Sequence, residues 1–453
     1  MSASSHPTVN LQLDTGHRQI LRLALPISAA IVVPQINFIT NNIFLGQLGQ
    51  AALAIAGITG VYYLVFAVIG NGLNNGLQAL ISRRAGENRF KDIAELFQHG
   101  IWVAMGFAAL GIVLTYTLAP YLLDQAMHDK SGFAIAIDFL KIRIWGLPFL
   151  YIYQMRNALL VGINKSKLLI FGTATEAIVN IVLDYALIFG HWGFPEMGFN
   201  GAAYASIVAE ALGLGAVFLV IRWEGMAHQL GLFTKVAFNG DAIRLILRQS
   251  YPLILQFAIS IVSWEYFYLL IEHHGTRDLA VSNTMRNLFG FFGCFTWAFA
   301  ATTNTMVSNV IGQGKPEAVM PLIHRILAWS VGFACLVCVL LNLAPSFLLQ
   351  VYGQGDDFIA SAIPVLRIVS FAMILMSVST VWVNAVTGTG NSKMNLYTEL
   401  TTIVVYIVYV TLVLETYHLP ITIGWMSEWL YWAVMFVPSY WYLRSGRWKK
   451  LKI

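Results

Sequence analysis

Residues 175–184 read TEAIVNIVLD, and three oxygen-bearing side chains, Glu176, Asn180 and Asp184, stand four apart in this otherwise apolar run. On an α-helix each step of four turns about 40° and climbs about 6 Å, so the three form one stripe roughly 12 Å long. Such a stripe can trade protons through its acids, or hold Na⁺ among carboxylate and amide oxygens. A seam of interhelical hydrogen bonds is the plainer use, and for Asn180 alone it would suffice. Two flanking carboxylates favour ion handling, provided that the helix lies in a membrane, where acids are kept for function.

Other chemistry is poorly supplied. No HExxH, GxSxG or Asp-rich metal motif occurs, so the chain is not expected to be an enzyme. His273 and His274 lack a third ligand, and the CxxC pair Cys335/Cys338 lacks a second pair. These two cysteines and Cys294 fall in apolar segments and are expected to be buried thiols. No cofactor is expected beyond a coupling H⁺ or Na⁺, and no metal beyond Na⁺ at Asp184 and Asn180.

Further polar residues interrupt apolar runs. INFITNNIFLG carries Asn37, Asn41 and Asn42, and YQMRNALL carries Arg156 and Asn157. Asn37, Arg156 and Asn157 are candidate polar residues of a cavity; Arg156 is equally suited to pairing with an acid. Lys141 and Arg143 are expected to snorkel outward, and Glu210 is left open. In the second half, Glu265, Arg286 and Glu399 make a possible second site, with Arg367 nearby in type. A Glu265–Arg286 ion pair would be structural, whereas an unpaired Glu265 would be a protonation site. Phe289, Phe291, Phe292, Phe295, Trp297, Met373 and Met376 are read mainly as packing, a minority as a lining for apolar or cationic ligands.

The solvent around these residues follows from composition. Of 453 residues 58% are hydrophobic and 11% charged, and mean hydropathy is +0.68. A soluble chain carries about a quarter charged residues, so most of this surface must face lipid. Apolar runs near 20–45, 51–80, 94–121, 133–160, 167–190, 199–222, 245–271, 277–310, 321–349, 359–387, 393–415 and 420–443 are long enough to span. The expected fold is an all-α polytopic membrane protein of twelve transmembrane helices. The start, MSASSHPTVNLQLDTGHRQ, is polar and does not read as a secretory signal.

With the N-terminus cytoplasmic, 20 of the 27 Lys and Arg fall on the cytoplasmic side, five lie within spans, and only Lys130 and Arg277 lie outside. That asymmetry is the positive-inside pattern. The pI near 9.0 therefore reports orientation and contact with membrane lipids, not nucleic acid. A multi-pass protein of a bacterial inner membrane, monomeric, with both termini cytoplasmic, is expected.

The chain is a tandem duplication. Pro26 in ILRLALP matches Pro252 in ILRQSYP, an offset of 252 − 26 = 226. The same offset aligns Gly49 with Gly275, Leu53-Ala54 with Leu279-Ala280, Ser82 with Ser308, Gly86 with Gly312, and Ser166-Lys167 with Ser392-Lys393. Six spans per half make the repeats parallel, and transporters so built bind their substrate near the midplane. The expected units are a polar N-terminus (1–19), an N-lobe (20–222), a cytoplasmic linker (223–244), a C-lobe (245–443) and a basic tail (444–453).

GQLGQAALAIAGI after the first span, SRRAGENRFKDIAELFQ after the second, GINKSK before the fifth, NIVLDYALIFG within it and MGFNGAAYAS at the start of the sixth resemble multidrug and toxic compound extrusion (MATE) transporters. IGQGKPEAV repeats the second-span pattern in the second half. The pattern is most similar to the DNA-damage-inducible-F-like branch. The resemblance implies two six-helix lobes around a V-shaped cavity, and an antiporter exporting bulky amphiphilic or cationic compounds against an inward H⁺ or Na⁺ gradient. It also implies a cation site built from an Asp on the first span, the Asn and Asp of the fifth and a hydroxyl on the sixth. Asn180 and Asp184 match; Asn41 and Ala202 stand at the other two positions. Asn41 offers an oxygen but no proton, so Glu176 is expected to replace the missing charge and to form the coupling site with Asp184. The competing reading is a flippase or exporter of a lipid or lipid-linked saccharide from the same superfamily, for which Arg156, Arg286 and Arg367 would supply positive charge.

Overall fold

The computed structural model describes residues 10–126, 132–234, 236–350, 352 and 355–451, so Lys130 and the chain's extreme ends lie outside the described residues. Among them there is no β-strand. A bilayer dictates this, because backbone polar groups in hydrocarbon must be satisfied within each segment.

The N-lobe holds α1 (His17–Gln47), α2 (Gln50–Gly86), α3 (Phe90–Ala126), α4 (Phe133–Arg143), α5 (Leu147–Gly162), α6 (Leu169–Phe189) and α7 (Phe199–Trp223). The short α8 (Met226–Gln229) lies in the linker. The C-lobe holds α9 (Gly240–Glu272), α10 (Thr276–Gly312), α11 (Val319–Leu343), α12 (Pro345–Gln350), α13 (Asp356–Thr389), α14 (Ser392–Val410), α15 (Ile421–Trp425) and α16 (Ser427–Arg444).

All twelve expected runs are helical, with four irregularities: the ninth is broken between α11 and α12 at Ala344, the twelfth between α15 and α16 at Met426, and two more interrupt the fourth and the eleventh. The fourth is broken into α4 and α5 by a 3-10 turn at Ile144–Gly146, and the eleventh continues from α14 into a π-turn at Thr411–Thr416. The eighth, α10, is unusually polar for a span; Thr302, Thr303, Asn304, Thr305, Ser308 and Asn309 are all buried in it. That stretch of the helix tolerates them because it faces protein, not lipid. Gly49 at φ 112° and Gly275 at φ 117° begin α2 and α10, so the repeat preserves a backbone shape that favours glycine.

Alternation of the spans puts Arg83, Arg84, Lys167, Arg244, Lys315 and Lys393 at one end, the basic end. There the lobes are sewn together. Gly72 and Gly76 of α2, spaced as a small-xxx-small pair, meet α9: added Cβ atoms would stand 2.8 Å from the Ile254 Cα and 3.0 Å from the Ser250 Cα. Ser308 Oγ donates to the Ala79 carbonyl at 2.6 Å and Asn304 Nδ2 to the Asn75 carbonyl at 3.1 Å. Gln78 Nε2 reaches Thr305 Oγ1 at 2.8 Å. At the far end each lobe keeps its own core: Leu45, Ile55, Ile137 and Ile188 in one, Phe267, Val365, Met376 and Trp425 in the other.

An extended strap, residues 10–15, lies across the basic seam. The Leu11 amide donates to Asn88 Oδ1 of the N-lobe at 3.1 Å, and the Leu13 amide to Asn309 Oδ1 of the C-lobe at 3.0 Å. Asn309 Nδ2 returns a bond to the Leu11 carbonyl at 3.1 Å, and Gln313 Nε2 one to the Leu13 carbonyl at 2.9 Å. Leu11 packs into a cluster drawn mainly from the N-lobe, and Leu13 into one shared by α1 and the C-lobe.

Candidate functional site

The stripe of α6 turns inward. Asp184 is 0% exposed and Asn180 2%, while Glu176 is half-buried. None of the three oxygen-bearing groups is set out toward acyl chains. α1 packs along α6, and Asn37 Nδ2 donates to Asn180 Oδ1 at 2.6 Å. Both helices run away from the basic end, so one turn beyond that bond Asn41 comes level with Asp184.

This patch holds an unusual number of unsatisfied buried atoms. Asn37 Oδ1, Asn41 Oδ1, Asn180 Nδ2 and both Asp184 oxygens have no protein hydrogen-bond partner. Asn200 Oδ1, at the start of α7, is in the same condition. Each such atom costs about 1–3 kcal/mol, and a charged one more. Buried polar atoms left without partners call for a functional explanation. What they share is chemistry: apart from the Asn180 amide nitrogen, all are oxygens suited to a hard cation, and the carboxylate can equally take a proton.

Arg143 is the charged group that reaches Asp184 electrostatically. It does not lock it. Arg143 is instead held by Glu210 of α7 in a two-pronged ion pair, Nη1 to Oε2 at 3.2 Å with Nη2 on Oε1, and its guanidinium lies 4.2 Å above the Tyr63 ring. The expected snorkelling of Arg143 is therefore incorrect. A carboxylate inside the bundle outcompetes the interface, and the same pair settles Glu210.

Arg156 of α5 is 2% exposed and stacks 4.1 Å from the Tyr153 ring centre, with none of its three nitrogens hydrogen-bonded. It fills the space above Gly172 of α6, where an added Cβ would lie 2.8 Å from Nη1. Glu176 sits one turn further along α6, and helical side chains lean toward the N-terminus, back over Gly172. Gly213 of α7 admits Glu176, since a Cβ there would stand 2.9 Å from the Glu176 Cβ. The charged groups that reach Glu176 are Glu210, Arg156 and Arg143. The stripe is thus divided: Glu176 turns to α5 and α7, Asn180 to α1.

In the C-lobe, Arg286 Nη2 meets Glu265 Oε1 at 3.4 Å, and the guanidinium lies 4.9 Å from the Trp264 ring. Glu265 is therefore not a free acid. Glu399 has separate partners, so the three residues do not act as one site. It is 1% exposed, accepting from the Tyr431 hydroxyl at 2.7 Å and from Gln256 Nε2 at 3.3 Å. Sequence reasoning missed Gln256 and Tyr431, and also Glu428, a buried acid on α16 that accepts from Trp432 Nε1 at 3.0 Å. Only the acid inside SEWLYW could have signalled it.

The remaining candidates are placed as follows. Asn157 is half-buried and Arg367 exposed on α13. His273 bonds Glu415 Oε2 at 3.3 Å and His274 the Leu414 carbonyl at 2.9 Å, which makes them loop pins. Among the described residues no group of three or more His, Cys, Asp or Glu could hold a metal ion. Cys294 is buried, but Cys335 is exposed and Cys338 only half-buried, contrary to expectation, because α11 turns part of its surface outward.

Three comparisons bear on this arrangement. The MatE family model matches residues 26–186 and again 252–412. Both bounds of the second match are displaced by 226, as in the internal repeat (252 − 26 and 412 − 186). A probable multidrug resistance protein NorM of Rhizobium meliloti is 25% identical over 345 residues, covering 75% of this chain and 72% of the relative. A Vibrio cholerae MATE transporter superposes with TM-score 0.88 at 18% identity, covering 96% of this chain and 98% of that one. A MOP superfamily transporter from Pyrococcus furiosus, described as having a binding pocket of reverse polarity suggesting a different function, gives TM-score 0.85 at 17% identity, covering 99% and 100%.

Proposed function

The chain belongs to the MatE family, and from that premise we propose that it is a multidrug efflux transporter, an antiporter that exports bulky amphiphilic or cationic compounds in exchange for H⁺ or Na⁺. The observation that carries the coupling is Asp184: fully buried, free of any protein donor, and level with the Asn41 amide. An ionised carboxylate cannot remain so without a cation. The N-lobe spans bury two guanidinium groups, Arg143 and Arg156, beside three carboxylates, Glu176, Asp184 and Glu210. Arg143 serves Glu210 and Arg156 stands beside Glu176. Asp184 is left to the exchanging cation.

Coupling then follows from α1. In the present state the lobes are joined at the basic end and keep separate cores at the other, so access is from the far side. A cation arriving at Asp184 draws in the Asn41 and Asn37 oxygens and so repositions α1 against α6. Cargo held against that face is displaced outward. Glu176 acts as the second acid of the stripe, with the unpaired Arg156 guanidinium as its neighbouring positive charge. The basic end faces the cytoplasm of a bacterial cell, with both termini there, and the working unit is a monomer.

A lipid or lipid-linked saccharide flippase is the weaker reading, because, of the three arginines that would supply its charge, Arg286 is committed to Glu265 and Arg156 is buried against the Tyr153 ring. The relatives matched bear the name NorM, so placement in the DNA-damage-inducible-F-like branch rests on the loop and span motifs of the sequence alone. The test is export of a fluorescent cationic dye from proteoliposomes with an H⁺ or a Na⁺ gradient imposed separately. Dye movement driven by one gradient and lost in Asp184→Asn supports the proposal. Lipid scrambling with no dye movement under either gradient refutes it.

A further inference from the structure

Two grooves at the basic end have the same construction in both repeats. The first, about 520 Å³, is lined by Arg18, Leu21, Arg22, Leu25, Pro26 and Lys167. The second, about 560 Å³, is lined by Gly240, Ile243, Arg244, Leu247, Arg248 and Tyr251. Arg18, Leu21, Arg22 and Leu25 fall at the 226-residue offset on Arg244, Leu247, Arg248 and Tyr251. Two separate clefts thus repeat one pattern, a pair of arginines four apart over an apolar wall.

All four arginines are exposed, and none makes an ion pair among the described residues. The walls below them are apolar and open, with Leu25 47% and Tyr251 41% exposed. In a membrane these walls lie among acyl chains while the guanidinium groups reach the headgroup layer. Charge above and hydrocarbon below is the complement of an anionic phospholipid. A planar fork of N–H donors also matches a phosphate better than an ammonium does.

We propose that these grooves are twin binding sites for anionic phospholipid, with the phosphate diester between Arg18 and Arg22 in one and between Arg244 and Arg248 in the other. Lys167 adds a third cation to the first groove. Its repeat mate, Lys393, does not line the second, so the first binds more tightly. The first groove lies where α1 meets the turn before α6 and the second runs along α9 alone, and basic surfaces at the cytoplasmic ends of spans attract anionic lipid. The proposal goes beyond export, needs only the membrane orientation, and stands or falls independently of the cargo.

The test is native mass spectrometry of purified protein titrated with phosphatidylglycerol, with phosphatidylcholine, or with inorganic phosphate alone. The unaltered chain should retain two phosphatidylglycerol molecules beyond the phosphatidylcholine level. Arg18→Gln with Arg22→Gln, and Arg244→Gln with Arg248→Gln, should each leave one, and all four together none. The single changes Arg22→Gln and Arg248→Gln should each lower one occupancy severalfold, which keeps the test open if the fourfold variant folds poorly. Arg89→Gln with Lys91→Gln removes the same charge elsewhere on the basic end and should leave both. Equal retention by the fourfold variant, equal loss in the charge control, or binding of inorganic phosphate without lipid preference would each overturn the proposal.

Discussion

Gly86 of α2 and Gly312 of α10 meet at the basic end: a Cβ built on Gly312 would lie 3.2 Å from the Gly86 Cα. They are one position in two repeats, since 312 − 86 = 226, so the axis relating the lobes passes between them. A methyl on Gly86 would press on the Asn309 carbonyl, and one on Gly312 on the Arg83 carbonyl. Backbone cannot step aside as a rotamer can. Either Gly→Ala change should cost about 1–3 kcal/mol in the closed arrangement and favour opening at this end. Spin labels on the turns at 87–89 and 313–315 should report longer distances; an unchanged distribution and melting point would show the seam to be slack.

Asp184→Asn should stop gradient-driven export, with a fall of at least tenfold, yet leave the melting temperature unchanged or higher. The reasoning is that the wild-type carboxylate is buried without a donor and costs stability, which the amide relieves in part. Parallel dye-export and thermal-unfolding measurements decide it. A variant that exports normally, or one inactive only because it melts early, contradicts the assignment.

Glu176→Gln should behave in the opposite way. It leaves the Arg156 guanidinium buried beside no carboxylate, and such a loss is strongly destabilising. Arg156→Gln combined with Glu176→Gln should recover part of that cost, giving a coupling energy of about 0.5–3 kcal/mol in a double-mutant cycle. Strict additivity of the two changes would mean that Arg156 and Glu176 do not sense one another.

Asn309→Ala removes acceptor and donor from the strap together, along with a 3.3 Å bond to the Ser82 carbonyl. Hydrogen exchange should speed up at the Leu11 and Leu13 amides by an order of magnitude or more, and Asn88→Ala should expose Leu11 alone. Protection that persists in both variants would place the strap's hold elsewhere.

The repeat, the twelve spans and the inward stripe of α6 could all be read from the chain, because lipid imposes length and apolarity on each span and duplication leaves its offset. Partner choice could not. Arg143 and Glu210 are 67 residues apart, and nothing in either segment says that α4 will lie beside α7. The position of Arg143 near the end of a span points it to the interface; its neighbours in space are Glu210 and Tyr63. Glu399 was legible as an intramembrane acid, but its donors Gln256 and Tyr431 come from spans whose polar residues looked like ordinary packing. The strap left no signal at all, since Leu11 and Leu13 alternate over too few residues to declare a buried strand-like segment.

The strap's closest contacts in the C-lobe lie 296 to 300 residues downstream of it. At 5–20 residues per second the ribosome takes roughly 15–60 s to deliver them. The strap, made that much earlier, therefore waits, unbonded on that side, until the eighth span has been inserted. A half-made chain cannot be fastened, and a released one fastens itself with residues made long before their partners.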